Sequence, residues 1–449
     1  MDVKNICCIG AGFVGGPTMA VIAINCPYLK ITVVDSNPEK INQWNGPLDQ
    51  LPVYESGLSQ IIEQTRGRNL FFSKEIDKSI IESEIIFMAV NTPTKTEGDG
   101  AGMAADLSYV VACARNIARV AKDDKIVVEK STLPVRTAEK IKNILNNSKN
   151  PVNFEVISNP EFLAEGTAIK DLFKSDRVLI GGDQTTRGKQ AVKKLVDIYR
   201  KWIPERKIIT TNIWSSELSK LASNAMLAQR ISSINSLSAL CEESGADILE
   251  VSNAIGMDKR IGKDFLEPSV GFGGSCFQKD ILNLVYLAKY YGLTEVADYW
   301  HQVVKINDYQ KKRFADSIIK FFKNNLKDIS ISILGWAFKA NTNDSRESAA
   351  IYVSNFLINE GAFLKIYDPM IKEDKIYEDL EFLFNKNQST KKNKIQIKDK
   401  IKVYKNVELC IQDTKAIAIL TEWDEFRLLN WTNISKKIKV FDGRYITNN

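Results

Sequence analysis

Six residues near the start of the chain, Gly10-Ala11-Gly12-Phe13-Val14-Gly15, narrow its possible folds more than any other stretch. They follow a short apolar run, Lys4-Asn5-Ile6-Cys7-Cys8-Ile9, and lead into a helix-like segment reaching to about Asn25. A second apolar run, Ile31-Thr32-Val33-Val34-Asp35, ends in an acid 20 residues after Gly15. Glycines at this spacing are weak evidence alone. Strand, glycine turn, helix, strand and terminal acid in register are strong evidence for a βαβ unit that binds a dinucleotide. Gly10, Gly12 and Gly15 permit the turn and let a pyrophosphate approach the amides of the helix start. Asp35 is placed to accept hydrogen bonds from the adenosine ribose and to repel a 2′-phosphate, which selects NAD over NADP; nearby Lys40 weakens that preference a little. A rival phosphate loop at Gly181-Gly182 and Gly188-Lys189-Gln190 fails, because the spacing is one residue too long and no Ser or Thr follows the lysine.

Further βα units follow. The apolar runs at 85–90 and 125–129 lead into Asn91-Thr92-Pro93-Thr94 and Lys130-Ser131-Thr132-Leu133-Pro134. Both are polar loops at the carboxyl ends of expected parallel strands, where open α/β sheets bind ligands. A strand at 154–158 enters Asn159-Pro160-Glu161-Phe162-Leu163-Ala164-Glu165-Gly166-Thr167. Read as one helical turn, 161–165 puts both carboxylates on one face. From Trp214 to Glu243 the pattern is helical without Gly or Pro. At ~1.5 Å per residue it spans on the order of 45 Å, enough to bridge two domains and pack on a second subunit. Lys220 and Asn224 are i, i+4 partners on it. The tail begins a second nucleotide-type unit: strands at 329–334, 363–368, 416–420 and 440–442, with a helix at 348–360 and a turn, Gly335-Trp336-Ala337-Phe338-Lys339, holding too few glycines for a full fingerprint. The expected class is α/β, with two Rossmann-like doubly wound domains joined by a long central helix: 1–212, 213–325 and 326–449. Such a pair implies a bi-substrate site in the cleft between them.

A second glycine cluster carries the chemistry. Gly271-Phe272-Gly273-Gly274-Ser275-Cys276-Phe277-Gln278-Lys279-Asp280 places a thiol, an amine and a carboxylate after a flexible turn. If helix begins at Ser275, Cys276 lies in its first turn, where open amides and the helix dipole favour the thiolate. Lys279 and Asp280 then project from the same face at i+3 and i+4. A cysteine is ordinarily a small buried hydrophobe; these neighbours supply what covalent thiol catalysis needs.

Composition bounds the rest. A chain of 449 residues with 44% apolar and 26% charged residues is expected to form two or three domains. No basic and apolar leader opens it and no apolar run approaches a membrane span, so a cytoplasmic protein without membrane contact is expected. Seven scattered cysteines without CxxC spacing argue against a disulfide framework and against a metal site. The single histidine, His301, leaves little room for a histidine base. Between 384 and 402 stand seven lysines and one acid, which accounts for the whole net charge of +6. This stretch reads as a solvated insertion dispensable for catalysis, and no nucleic-acid partner is expected.

These stretches together with Asp442-Gly443-Arg444 resemble the UDP-glucose/GDP-mannose dehydrogenase family over nearly the whole chain. Gln278, where bacterial members usually carry proline, and Ala164 before Glu165 place the resemblance on the eukaryotic side. The resemblance implies four-electron oxidation of UDP-glucose to UDP-glucuronate with NAD, dimerisation through the central helix, and assembly into a hexamer. It implies Cys276 as nucleophile, Lys220 and Asn224 as oxyanion partners, and Thr132, Glu161, Glu165 and Asp280 as residues that position or activate water. For the cofactor it implies Gly10, Gly12, Phe13, Val14, Gly15, Asp35, Lys40, Val90, Asn91, Thr92, Pro93, Thr94, Thr132, Glu165, Lys279 and Arg346. For the nucleotide sugar it implies residues 161–165 (Glu161, Phe162, Leu163, Ala164, Glu165), Lys220, Asn224, Phe265, Gly273, Phe338, Lys339 and Arg444, with Arg260 reaching in from a neighbouring subunit. Glu267 stands where animal members carry a basic residue. A dehydrogenase of another nucleotide sugar, a two-electron β-hydroxyacid dehydrogenase and a non-catalytic scaffold remain open alternatives.

Overall fold

The computed structural model describes residues 3–387 and 397–447. The chain divides into two compact units, Met1–Ser223 and Asn224–Asn449. In the first, β1 (Asn5–Ile9), β2 (Lys30–Val34), β3 (Leu70–Ser73), β4 (Ile85–Met88), β5 (Lys125–Glu129), β6 (Phe154–Ser158), β7 (Val178–Gly182) and β8 (Ile208–Thr211) form one sheet in the order β3-β2-β1-β4-β5-β6-β7-β8. β1 to β6 are mutually parallel, with Ile9 opposite both Val34 and Met88. The runs of β4 and β5 are buried on both faces, as strands covered by helices must be, whereas the edge strand β3 alternates. The strand order reverses at β1 and β4, which opens a crevice at their carboxyl ends. β7 runs antiparallel to β6, and β8 pairs parallel with β7, a reversal that nothing in the sequence announces.

Helix Gly15–Asn25 is buried from Gly15 to Ala23. Trp44 fixes its seat. The indole donates to the Ala11 carbonyl at 2.9 Å and stacks on Phe72 at 4.7 Å, and its ring stands 2.2 Å from where a Cβ on Gly16 would be.

The helix expected at 214–243 is observed as Ile213–Ser244. Its first turns are tied to the first sheet by a buried acid pair. Glu217 accepts the amides of Arg136 (2.7 Å) and Ala138 (2.8 Å) at the start of helix Thr137–Asn146. It also faces Glu129 of β5. Burial, then the neighbouring Glu217 carboxylate, push Glu129 well above the usual carboxyl range. Burial pushes Glu217 up to about 7 despite the two amide donors. A raised acid keeps its proton in the folded chain while the unfolded chain loses it from about pH 4.5 upward, so the pair's contribution is complete below that value and is lost as pH rises through about 7. Each pKa unit corresponds to about 1.4 kcal/mol. Thermal melts of the wild type should therefore lose stability between pH 5 and 8, and Glu129→Gln should flatten that slope; parallel slopes would refute the shared proton.

The second unit repeats the sheet plan. β9 (Ser330–Leu334), β10 (Phe363–Tyr367), β11 (Ile401–Val403), β12 (Ala416–Ile419) and β13 (Lys439–Asp442) are parallel in the order β11-β10-β9-β12-β13. Gly335 after β9 takes φ +93°, and a Cβ there would lie 2.3 Å from the Thr421 Cβ. Helices Ile248–Gly256, Phe277–Tyr290 and Thr294–Phe321 precede this sheet. The 384–402 expectation needs correction. Phe384, Ile397 and Ile401 lie in the core, and Ile401 pairs with Leu364, because a β-strand and its preceding turn need apolar anchors beneath them. Residues 388–396 lie outside the described residues, so deletion of the whole 384–402 stretch removes an edge strand.

Candidate active site

In the first unit the crevice is shaped by three glycines with different duties. Gly10 has φ +113°, and a Cβ there would sit 2.2 Å from the Ala89 carbonyl oxygen. A Cβ on Gly15 would sit 2.0 Å from the Gly10 carbonyl oxygen, so this glycine lets helix approach strand. Gly12 has nothing within 4 Å of a built Cβ. A turn tight at its ends and open in its middle, before a helix that no side chain caps, suits a pyrophosphate. Phe13 is exposed and Val14 half-buried at its edge. Ser131 donates to the Val90 carbonyl at 2.6 Å and Thr92 to the Thr132 carbonyl at 3.1 Å, which binds the loops after β4 and β5 to each other. In the first of them Asn91 and Pro93 are exposed, and Thr94 forms a bridge to Ala105.

Asp35 follows β2. Its carboxylate accepts the amides of Asn37 and Ala11, both at 2.9 Å, and the Lys40 ammonium at 3.0 Å. Burial alone raises its carboxyl; these three donors outweigh that and hold it below the usual range. Of the roughly four acceptor positions of a carboxylate one stays open, on Oδ1, for a ribose hydroxyl. The corresponding acid of the second unit, Asp368, is filled: it accepts from Trp336, Ala337, Met370 and Ile371 amides and from the Trp423 indole. The same device thus keeps an acceptor open in one sheet and is a filled structural knot in the other. Lys40 sits on the acid, so its charge reinforces Asp35 instead of inviting a phosphate. We expect kcat/KM for NAD to exceed that for NADP by about 100-fold, equivalent to about 3 kcal/mol, and Asp35→Ala to narrow the gap; equal use of both cofactors by the wild type would overturn this role.

Behind the crevice lies a buried charge cluster. Residues 161–164 are irregular, not the helical turn expected, because the Glu161 carboxylate turns back to accept the Leu163 amide at 2.6 Å. Glu161 and Glu165 therefore do not share a helix face. Glu161 instead pairs with Lys220 at 3.2 Å, the two side chains being 9% and 4% exposed. Phe162 receives the Arg177 guanidinium at 3.9 Å and Lys220 at 5.4 Å over its ring. Ala164 donates to Asp171, and Glu55 accepts the Gly166 and Ala168 amides, which holds the Glu165 turn. Neither Glu55 nor Lys130 is marked by spacing. The only available signal for Lys130 is its place directly after a strand buried along its whole length.

In the second unit the glycine turn is clamped by helix Thr294–Phe321. Asn307 pairs with both backbone groups of Phe272, accepting from its amide (2.8 Å) and donating to its carbonyl (3.0 Å). Gly271 and Gly274 take φ +116° and +83°, and a Cβ on Gly273 would meet the Glu347 carbonyl oxygen at 2.6 Å. Helix Phe277–Tyr290 starts two residues later than expected, so Cys276 is its N-cap and not in its first turn; its carbonyl accepts from the Asp280 amide at 2.9 Å. The thiol is half-buried and 3.5 Å from the Ser275 hydroxyl. Asp280 is buried, accepting from Asn224 at 2.6 Å with Lys279 at 3.7 Å. Phe338 packs on Gly273 and Gly274, and Lys339 lies 5.8 Å over its ring. Arg444 donates to the Phe338 carbonyl at 3.0 Å and pairs with Glu422 at 3.3 Å. Phe265 takes φ +60° and stands edge-on to Phe277. Arg346 is held by Asp344, and Arg260, 87% exposed, pairs with Asp258 of its own chain.

Three consecutive stretches match descriptions of one family: its NAD binding domain at 4–203, its central domain at 214–309 and its UDP binding domain at 332–449. The chain belongs to the UDP-glucose/GDP-mannose dehydrogenase family. It is 54% identical over 451 residues to the UDP-glucose 6-dehydrogenase of Mus musculus, spanning 99% of this chain and 90% of that protein. It is 53% identical over 449 residues to UDP-glucose 6-dehydrogenase 1 of Glycine max, spanning 98% and 93%. A solved structure of a UDP-glucose dehydrogenase from the hyperthermophilic archaeon Pyrobaculum islandicum superposes with a TM-score of 0.84 at 28% identity, covering 99% of this chain and 95% of that one. Members of the UDP-glucose/GDP-mannose dehydrogenase family thus share the fold, the NAD domain and the UDP domain found here. Among the described residues no group of three or more His, Cys, Asp or Glu could hold a metal ion, and no helix is long and apolar enough to cross a membrane.

Proposed function

We propose that this chain oxidises the C6 alcohol of UDP-glucose to the carboxylate of UDP-glucuronate. One alcohol, two NAD and one water give one carboxylate, two NADH and three protons. The observation that carries this reading is identity above one half, over nearly the whole length, with curated enzymes named for UDP-glucose oxidation. NAD, when bound, accepts the hydride in both oxidations. Cys276 adds to the intermediate aldehyde carbon as a thiohemiacetal and carries the acyl group as a thioester until water releases it. Lys220 and Asn224, one turn apart on one helix, stabilise the oxygen of these intermediates. Glu161, Glu165, Thr132 and Asp280 position and activate water. The burial of Glu161 with Lys220, and of Asp280 with Asn224, supports these roles. Phe265, Gly273, Phe338, Lys339 and Arg444 take the nucleotide sugar, and Arg346 and Lys279 the cofactor. The same reading places the enzyme in the cytoplasm, as a dimer through helix Ile213–Ser244 and a hexamer of such dimers; Leu218, Met226, Leu237 and Leu240 of that helix are exposed, which supports a partner there. Its organisation is an NAD domain at 1–212, a central region at 213–325 and a UDP-sugar domain at 326–449. Counting NADH formed per UDP-glucose consumed tests the reading: two are expected, one sinks the four-electron route, and turnover of GDP-mannose in preference to UDP-glucose sinks the substrate.

A further inference from the structure

Lys130 has no part in the reading above, yet it is 4% exposed and stands in the same buried cluster. Its ammonium donates to Asn159 Oδ1 at 3.2 Å and lies 3.4 Å from the Tyr199 hydroxyl, which itself donates to Asn159 at 2.7 Å. Asn159 is fully buried. Its side-chain amide donates to the Leu179 carbonyl at 2.8 Å and its backbone amide to the Glu129 carbonyl at 2.9 Å. Lys130 lies two residues before Thr132, and Asn159 two before Glu161. One ammonium therefore joins the loops after β5 and β6 that carry both residues.

Sequestering a cation beside a carboxamide and a phenol is expensive when an apolar side chain of equal length could fill the space. The charge has a use if it acts on the neighbouring Glu161 and Lys220. We propose that Lys130 is a positioning residue of this oxidation: it locks the Thr132 and Glu161 loops together through Asn159 and adds a second cation to the Glu161–Lys220 pair. The cluster then carries two ammonium groups for one carboxylate, an excess of positive charge suited to an alkoxide or a newly formed carboxylate. The inference rests on the proposed reaction and names a residue that the reaction did not require.

Burial lowers the Lys130 pKa to about 8, and Lys220 adds to that, while Glu161 and the Cys8 thiol of β1 act in the other direction. With Tyr199, these are the titratable groups that face it. Lys130 should accordingly lose its proton near pH 8 in the wild type and contribute an inflection there to the kcat profile.

The test uses the full-length enzyme with UDP-glucose and NAD. Lys130→Met should lower kcat by about 100-fold, as loss of loop register does, with KM changed by about threefold or less. Cofactor binding, followed by quenching of tryptophan fluorescence, should be unchanged, and the inflection near pH 8 should vanish. A Lys130→Met enzyme with wild-type kcat and the same pH profile overturns the proposal. Tyr199→Phe removes one oxygen from the ammonium without removing its charge and covers the case in which Lys130→Met does not fold. It should shift the inflection to lower pH with kcat retained within about tenfold; an unmoved inflection overturns the proposal. A wild type that makes no NADH from UDP-glucose defeats the proposed reaction itself, whereas an active wild type with an equally active Lys130→Met defeats only the role of Lys130.

Discussion

Cys276→Ser is expected to keep cofactor binding and to lose steady-state turnover by on the order of 10³-fold or more. Serine preserves the size of the side chain at the helix start but is a far weaker nucleophile at neutral pH and, in the acyl stage, a far poorer leaving group. An ester that forms slowly and hydrolyses more slowly should appear as added mass on the intact protein. Alkylation offers an independent reading. Cys276 is half-buried, whereas the other six thiols are buried. Burial pushes Cys113 and Cys410 to about 12 and raises Cys7, Cys8 and Cys26 as well. Iodoacetamide should therefore mark Cys276 first, and UDP-glucose should protect it. Normal production of two NADH per sugar by Cys276→Ala would rule out the covalent route and leave the glycine turn a structural feature.

Lys220→Met should have the second large effect, on stability and turnover together. The Glu161 carboxylate would remain 9% exposed with the Leu163 amide but without its ammonium at 3.2 Å. Breaking a buried pair from one side costs about 3–5 kcal/mol, and the lower end applies here, because the remaining carboxylate is not hydrated but keeps the charge of Lys130 nearby. Removing both charges avoids that penalty. The double variant Lys220→Met/Glu161→Gln should recover most of the lost stability in a denaturant titration while turnover stays abolished. If the single variant melts like the wild type, the pair is not the anchor described here. If the double variant regains turnover, neither charge belongs to the chemistry.

The contrast between Asp35 and Asp368 shows how one acid keeps an acceptor open and the other does not. Both end a second strand of a parallel unit, and both collect amides from the preceding glycine turn. What separates them lies at Oδ1, where Asp368 accepts two amides, Met370 and Ile371, and Asp35 accepts Asn37; at Oδ2 the Trp423 indole, from 55 residues away, stands where Lys40 stands on Asp35. The glycine spacing at 10–15 suffices for the first because each glycine answers a local demand: positive φ at Gly10, backbone contact at Gly15, open space at Gly12. The turn at 335–339 holds a single glycine, Gly335, which answers one such demand, positive φ.

Local order was therefore legible from the chain alone. Apolar runs of four to six residues became the central strands, and the uninterrupted pattern at 214–243 became one helix within a residue at each end. The glycine turn before Cys276 was likewise readable, since positive φ at Gly271 and Gly274 is a demand on the residue itself. The strands at 70–73, 178–182, 208–211 and 401–403 were not legible. They are short edge or antiparallel elements whose pairing is decided by partners far away in the chain. Tertiary structure alone decided that residues 161–164 leave the helical path, that Glu161 meets Lys220 across 59 residues, and that Asn307 grips Phe272. Only packing buried Lys130 beside Asn159, for a side chain's charge is written in the sequence, whereas its solvation depends on which distant atoms displace the water.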